Sequence, residues 1–397
     1  MDDARSGSHH QECGPLPASL AIGTTRDAGR SGGRFSANHH SILAPIKSPA
    51  ASSRTTSRES NVEKHLYDCG VDPVAPAERV PVEVAPCPVC RHNRAVPAFQ
   101  VEGISSRVVV CEKCGLGSLH PMPDEEQIAG FYPQEYYGET GTKFEPMVER
   151  MVRIVAARHA RFLMRGLKPN AKILDVGCGR GVLLRAFADM GYEAHGVEVS
   201  ETAAEGVDPR AEVRIASHLA QAGYEAGYFD RIVIWHVLEH VTDPRETIVE
   251  MERILRPGGR AIVAVPNFSS LQARWAGPAW FHLDLPRHLY HFPSEALRQL
   301  LQDCGFECRE AHHFSLRQNP FGWVQSALNR GHSMPRNSLY TMLQHGNDPA
   351  VKALPGSTRL KMKLAYYCGM PVALALSLLT TAMRSGATVH IVGKKPG

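Results

Sequence analysis

The 397-residue chain predicts an α/β fold in which a seven-stranded sheet is preceded by a small cysteine-bound module and a disordered N-terminal tail. Three observations carry this expectation. A short apolar run at Ile173, Leu174 and Val176 enters the glycine-rich string DVGCGRG, and an apolar helical pattern begins at Val182, which reads as strand, tight turn and helix. Apolar strands then alternate with amphipathic segments toward the C-terminus, as in an open α/β sheet. Upstream of both stand two Cys-x-x-Cys pairs.

Residues 1–80 are rich in Ser, Gly, Ala, Pro and Arg, carry His pairs at 9–10 and 39–40, and show no sustained apolar periodicity. They are expected to be disordered. Asp2 and Asp3 open the chain and no apolar core follows, which argues against a targeting peptide.

Residues 84–120 form the cysteine module. Cys87, Cys90, Cys111 and Cys114 make two knuckles separated by twenty residues, a spacing that gathers four thiolates at a tetrahedral zinc. The protein supplies all four ligands, so the zinc is expected to be structural. The β-rich run RVVV before the second knuckle and Gly115 after it suit a zinc ribbon. Residues 121–167 are a connector with prolines and aromatic residues, followed by Phe144, Met147, Met151, Ile154, Val155 and Phe162 at helical spacing. A helix over 144–167 that packs on the sheet or lids the ligand is expected.

The remaining domain spans 168–397. Gly177, Gly179 and Gly181 differ in spacing from the dinucleotide fingerprint, because position 182 is valine where a third glycine would be needed. With no pyrophosphate to cradle, the turn suits an adenosyl group with an uncharged or cationic tail. Asp175 is placed to orient an ammonium, and Glu198, ending the second strand, to accept hydrogen bonds from both hydroxyls of a ribose. A third strand is read at AEVRIAS and a fourth at YFDRIVIW, ending near Trp235. A helix, a Pro-Gly-Gly turn and a fifth strand follow in DPRETIVEMERILRPGGRAIVAVPN. The sixth strand is read before FSL and the seventh at 387–394, with a helical insertion at about 320–384 between them.

Inside that insertion, 364–383 are twenty residues without a charge, flanked by Lys361, Lys363 and Arg384. Length permits a membrane span. Gly369, Pro371, several hydroxyls and the strand that must return to the sheet favour instead a helix that covers the site or rests on a membrane surface through 361–384, its basic rim near anionic lipid. The formal charge of +4 is small for this length and gives no support to a nucleic-acid partner. The other six of the ten cysteines show no framework spacing, so a reducing, cytoplasmic setting is expected.

The DVGCGRG string together with Glu198 resembles the class I S-adenosylmethionine-dependent methyltransferases. With the ribbon, WHVLEHV and the DLPRHLYHF segment at 284–292, residues 85–395 resemble their zinc-ribbon subgroup. That resemblance implies a Rossmann-like sheet ending in an antiparallel hairpin, with S-adenosylmethionine as cofactor. It places Asp175, Gly177, Gly179 and Gly181 on the methionine side and Glu198 at the ribose, with Cys178, Val199 and Trp235 completing the cofactor set. His218 and Leu219 stand where family members present an acidic residue to the adenine, an acid this chain lacks.

Methyl transfer requires alignment and exclusion of water, and a base only if the acceptor keeps its proton. His236 at the strand end is the first candidate base and His288 the second, with Arg287 a clamp for an acceptor phosphate or carboxylate. The string His236-x-x-Glu239-His240 also matches inverted zinc peptidases, but there it must lie within a helix. It is similar as well to the Glu-x-x-Glu-His of ubiquinone-pathway O-methyltransferases, which admits a divalent metal at His236, Glu239 and His240; the alternative has Glu239 and His240 hydrogen-bonding within the core. The expected reaction is methylation of a small-molecule acceptor, foremost O-methylation of a glycan, lipid or quinone-like compound. An RNA methyltransferase using the ribbon is the alternative, although Arg91, Arg94, Arg107 and Lys113 are scattered and offset by Glu102 and Glu112.

Overall fold

The computed structural model describes residues 71–101, 104–132, 146–331, 334–344 and 349–397. Residues 1–70 of the expected tail lie outside the described residues, as does Phe144 of the connector. Residues 71–80 correct the tail boundary. The strands β1 (Val71–Pro73) and β2 (Val82–Glu83) both pair antiparallel with β3 (Arg94–Val101), and the Val74 N–H donates to the Ala98 carbonyl at 3.0 Å.

β4 (Arg107–Cys111) and β5 (Gly117–His120) continue this small antiparallel sheet. Each knuckle closes on a residue in the left-handed region, Arg91 (φ 63) and Gly115 (φ 73), whose N–H donates back to the first cysteine of its pair. The short helix α1 (Glu125–Gly130) follows, its first turn closed by reciprocal hydrogen bonds between Asp124 and Gln127.

In α2 (Pro146–Leu163) the buried face differs from the expected one. Ile154, Val155 and Phe162 are exposed, whereas Ala156, Ala160 and Leu163 are buried. Small residues at i and i+4 let the helix approach the sheet closely enough for the His159 ring to meet Trp235 at 3.9 Å between centroids. Arg231, buried beneath the helix, donates to the Leu163 carbonyl and so satisfies an end that has no further turn.

The large sheet contains β6 (Lys172–Val176), β7 (Glu193–Glu198), β8 (Glu212–Ile215), β9 (Phe229–Trp235) and β10 (Leu255–Pro266), followed after a separate strand β11 (Tyr290–His291) by β12 (Glu307–His312) and β13 (Thr388–Lys394). Its order is β12-β13-β10-β9-β6-β7-β8, parallel throughout except that β13 runs antiparallel to both β10 and β12. This is the expected seven-stranded Rossmann-like sheet with its antiparallel end. Leu174, Ile232 and Val263 face one apolar cluster while Ile173, Val233 and Ile262 face the other, so the central strands are buried on both sides.

The helices α3 (Val182–Asp189), α4 (Glu201–Ala204), α5 (Pro244–Ile254), α6 (Leu271–Ala276) and α7 (Ser294–Asp303) connect these strands. The Pro-Gly-Gly segment, expected as a turn ahead of the fifth strand, lies inside β10. Pairing with β9 slips between Leu255 and Arg260. The freed groups find partners at the chain end, since Gly258 N–H donates to the Lys395 carbonyl and Lys395 N–H to the Gly259 carbonyl, both at 3.0 Å.

β11 does not join the large sheet. It pairs with β5, Tyr290 opposite Ser118 and His291 opposite Gly117, and thereby welds the cysteine module to the segment around His288. Arg245 of α5 reinforces this junction by donating to the carbonyls of Pro88 and Val89 at 2.5 and 2.7 Å. Between β12 and β13 lie α8 (Gln318–Arg330), α9 (Ser338–Gln344), α10 (Pro349–Ala353) and α11 (Gly356–Ala382), with Trp323 and Val324 of α8 packed beside Met362 and Ala373 of α11.

Candidate active site

β6 delivers Asp175 into the glycine turn at the crevice end of the sheet. Gly177, Gly179 and Gly181 have φ of 71°, 50° and 67°. A Cβ at Gly177 would lie 2.5 Å from Val237 and one at Gly181 2.8 Å from Val207, whereas one at Gly179 would meet nothing within 4 Å. Two glycines therefore press the turn onto the protein and the third opens a hollow. Glu198, buried at the end of β7, accepts from the Gly179 N–H at 2.8 Å and from the Val199 N–H at 2.9 Å. Burial, and after it the charge of Glu198, pushes the Asp175 carboxyl up to about 7. Two buried carboxylates beside an open glycine hollow are an acceptor set that fits a ligand carrying both an amine and a ribose.

The other expected cofactor residues are placed less uniformly. The Cys178 side chain turns into the apolar cluster behind the turn, so only its backbone faces the crevice, and burial pushes its thiol up. A Cβ at Gly196 would lie 2.6 Å from that sulfur, which makes Gly196 a requirement of the site that the sequence reading missed. Val199 is exposed, His218 caps an exposed turn with its N–H donating to Gln221, and Leu219 is buried in the core. Trp235 stands between the His159 and His390 rings, at 3.9 and 4.2 Å between centroids.

Past β9 the chain turns at His236, whose φ of 56° is unusual for a residue with a side chain. Its Nδ1 lies 3.3 Å from Glu239 Oε1 and its buried Nε2 has no hydrogen-bond partner among the described residues. Against an ionised Glu239, which only accepts, a neutral ring would carry its proton on Nδ1 and leave the Nε2 lone pair over. Glu239 is 1% exposed, and its carbonyl accepts from Leu289 and Tyr290 at 2.9 and 3.1 Å. His240 Nδ1 is 2.8 Å from the Tyr132 hydroxyl and 3.0 Å from the Arg287 carbonyl.

His288 Nδ1 donates to the His282 carbonyl at 3.0 Å, and its Nε2 faces Asp284 at 3.8 Å and Glu239 at 3.9 Å. Burial, followed by the neighbouring His240, holds His288 well below the usual histidine range. Burial likewise brings His282 and His291 down to about 3.

Arg287 corrects an expectation. Its guanidinium is buried and donates to both carboxylate oxygens of Asp284, so it is committed within the protein and not free to clamp an acceptor. Burial would raise the Asp284 carboxyl, but Arg287 and His288 outweigh it and hold that carboxyl below its ordinary range. Tyr132 is the other residue the sequence reading missed. It lies 108 positions from His240, and its aromatic connector carried no periodicity to mark it.

The four module cysteines come together as the spacing predicts. Cys87 and Cys114 sulfurs are 3.5 Å apart, as are those of Cys90 and Cys111, and all four lie within 4.8 Å of one another. Bonds of about 2.3 Å to a tetrahedral zinc would separate thiolates by about 3.8 Å, so the donor set fits that ion. Among the described residues a second group of close donors is Glu239, His240 and His288. His288 takes the third place that the sequence reading gave to His236, whose Nδ1 is spent on Glu239.

An open seven-stranded sheet with a glycine hollow and a carboxylate at the end of its second strand defines a nucleotide-cofactor enzyme. A methyltransferase-domain family model matches residues 147–311. A ubiquinone biosynthesis O-methyltransferase of Aromatoleum aromaticum is 30% identical over 173 residues, covering 40% of this chain and 72% of that protein. One from Maricaulis maris is 29% identical over 192 residues, covering 42% and 71%. A solved SAM-dependent methyltransferase from Archaeoglobus fulgidus aligns with a TM-score of 0.40 at 17% identity, over 63% of this chain and 98% of that one. The chain belongs to the class I S-adenosylmethionine-dependent methyltransferases.

Proposed function

We propose that this enzyme methylates a hydroxyl group of a small-molecule acceptor of the phenol or quinone-like class, with His236 as general base. The observation that carries the reading is the His236–Glu239 dyad, in which Nδ1 is held by a buried carboxylate and Nε2 lacks a partner among the described residues. Val237, next in the chain, packs against Gly177 of the glycine turn, so the base stands one residue from a contact with that turn. The relatives that act in ubiquinone biosynthesis support a hydroxylated aromatic acceptor.

S-adenosylmethionine, when bound, supplies a sulfonium methyl group. Asp175 would hold its amine and Glu198 its ribose, with the hollow at Gly179 admitting the close approach. His236 Nε2 takes the acceptor proton, and Glu239 offsets the charge that develops on the ring. His288 stands between Glu239 and the Asp284–Arg287 pair and keeps Glu239 in place. The four cysteines would hold a structural zinc, and such an ion would brace β5 and, through it, β11.

Calorimetric titration with S-adenosylmethionine and its demethylated product tests the cofactor site. Micromolar binding is expected, and Glu198→Ala is expected to abolish it. Absence of binding by folded, zinc-loaded protein overturns the reading. In His236→Asn, methyl transfer to a catechol-type acceptor is expected to slow roughly 10²–10⁴-fold with cofactor affinity unchanged; an unchanged rate removes His236 as the base.

A further inference from the structure

The helix α11 turns its apolar side outward. Leu364, Tyr367, Val372, Leu378, Leu379 and Met383 are each more than half exposed. With Cys368, Pro371 and Ala375 between them, they follow the three- and four-residue steps of a single helix face. The inward face joins Met362 and Ala373 of the α8 contact with two polar groups. Ser377 and Thr380 are buried, and their hydroxyls donate to the carbonyls of Ala373 and Leu376 at 2.6 and 2.9 Å. A soluble surface helix does not usually expose so long an apolar row. The most apolar 18-residue stretch of α11 has mean hydropathy 1.5 and is 17% buried.

The helix does not leave the domain. Ser385 N–H donates to the Thr380 carbonyl at 2.8 Å, Leu271 N–H donates to the Ser385 carbonyl at 3.1 Å, and β13 then enters the sheet between β10 and β12. A segment pinned in this way lies along the protein surface. Its charges identify the occupant of that surface. From residue 349 to 397 the chain has seven Lys and Arg and no Asp or Glu. Arg359, Lys361 and Lys363 are exposed at one end of the uncharged face and Arg384 at the other, about 30 Å apart. A second copy seated on the same face would bring cation against cation whether the two helices ran parallel or antiparallel.

We propose that this face docks the enzyme on an anionic phospholipid bilayer, with α11 in the interfacial plane and its basic ends on the headgroups. The apolar row enters the acyl boundary. Behind α11, the α8 helix touches the turn Phe281–Leu283, where Ser326 accepts from the Phe281 N–H at 2.9 Å. The docked face is therefore one helix away from His282 and the histidine cluster. An acceptor with an apolar tail could reach the site from the bilayer; that extension rests on the function proposed above, whereas the docking does not.

The full chain is sedimented with vesicles of phosphatidylcholine alone and of phosphatidylcholine mixed with phosphatidylglycerol, without cofactor or acceptor. The wild type is expected in the pellet with the mixed vesicles only. Val372→Glu/Leu379→Glu is expected to stay in the supernatant, and Lys361→Glu/Lys363→Glu to bind roughly tenfold more weakly or worse. All four positions are exposed, and cofactor binding by calorimetry reports separately on the fold and on the methyltransferase reading. Wild type that remains in the supernatant with both vesicles overturns the proposal. So does a wild-type dimer that Val372→Glu/Leu379→Glu converts to monomer, because the face would then belong to a second copy.

Discussion

Asp175, proposed above to hold the cofactor amine, is buried at a cost to the stability of the ligand-free protein. Its carboxyl moves from 3.8 to about 7 on folding, chiefly through burial, so between those values the folded chain holds a proton that the unfolded chain releases. Stability is therefore full below about pH 4 and falls as pH rises toward 7. Asp175→Asn removes that fall. Without cofactor the variant is expected to match wild type at pH 4 and to exceed it at pH 8 by on the order of 2–4 kcal/mol, while binding S-adenosylmethionine more weakly. Denaturant unfolding at the two pH values checks this, and equal losses in both proteins assign the pH dependence to another group. At His236 a backbone φ of 56° is held in a region that costs an L-residue about 1 kcal/mol or more. His236→Gly is expected to unfold at a higher temperature than His236→Ala, with both equally slow in methyl transfer. Asp175, the glycines and Glu198 were legible in the sequence because their geometry is local to one strand, turn and helix. The commitment of Arg287 to Asp284 and the approach of Tyr132 to His240 were not, since no spacing encodes which side chain a buried charge or a ring will find.

At the scale of elements, the pairing of β5 with β11 joins a metal-type cluster to the segment that carries His288 and the backbone held by Glu239. Loss of the metal is expected to loosen acceptor-side groups before the cofactor crevice, which is built on β6 and β7. Cys111→Ser is expected to lower zinc content and to reduce turnover roughly tenfold or more, with S-adenosylmethionine affinity little changed. Metal analysis, steady-state rates and calorimetry on one preparation decide it, and a parallel loss of cofactor affinity would show that the module supports the whole domain. Strand identities in the large sheet were readable because apolar runs of buried parallel strands are distinctive. The buried face of α2 was misread for a physical reason, because alanines at 156 and 160 carry little hydrophobic signal yet permit the close approach that larger residues forbid. The two-residue β11 is too short to leave any periodicity.

At the scale of the molecule, the insertion between β12 and β13 packs on the Phe281–Leu283 turn that the proposed function places on the acceptor side, and their tight fit is at Gly322. A Cβ there would lie 2.5 Å from Gln272 Oε1 and 2.6 Å from His282 Nε2. Gln272 also accepts from the Trp280 indole N–H and donates to the Asn319 carbonyl, both at 3.0 Å, so α6, α8 and the Phe281–Leu283 turn share a buried polar network. The apolar run of the insertion was plain in the sequence, but which side of it faces solvent depends on α8, and composition does not encode that. Gly322→Ala must push α8 away from the wall that carries His282, at a cost of roughly 1–3 kcal/mol. Because the cofactor crevice lies at β6 and β7, the variant is expected to raise the acceptor KM while leaving S-adenosylmethionine affinity as in wild type. A rise in both constants would mean that the insertion and the crevice move together, and unchanged kinetics in a destabilised but folded variant would separate the insertion from the acceptor site.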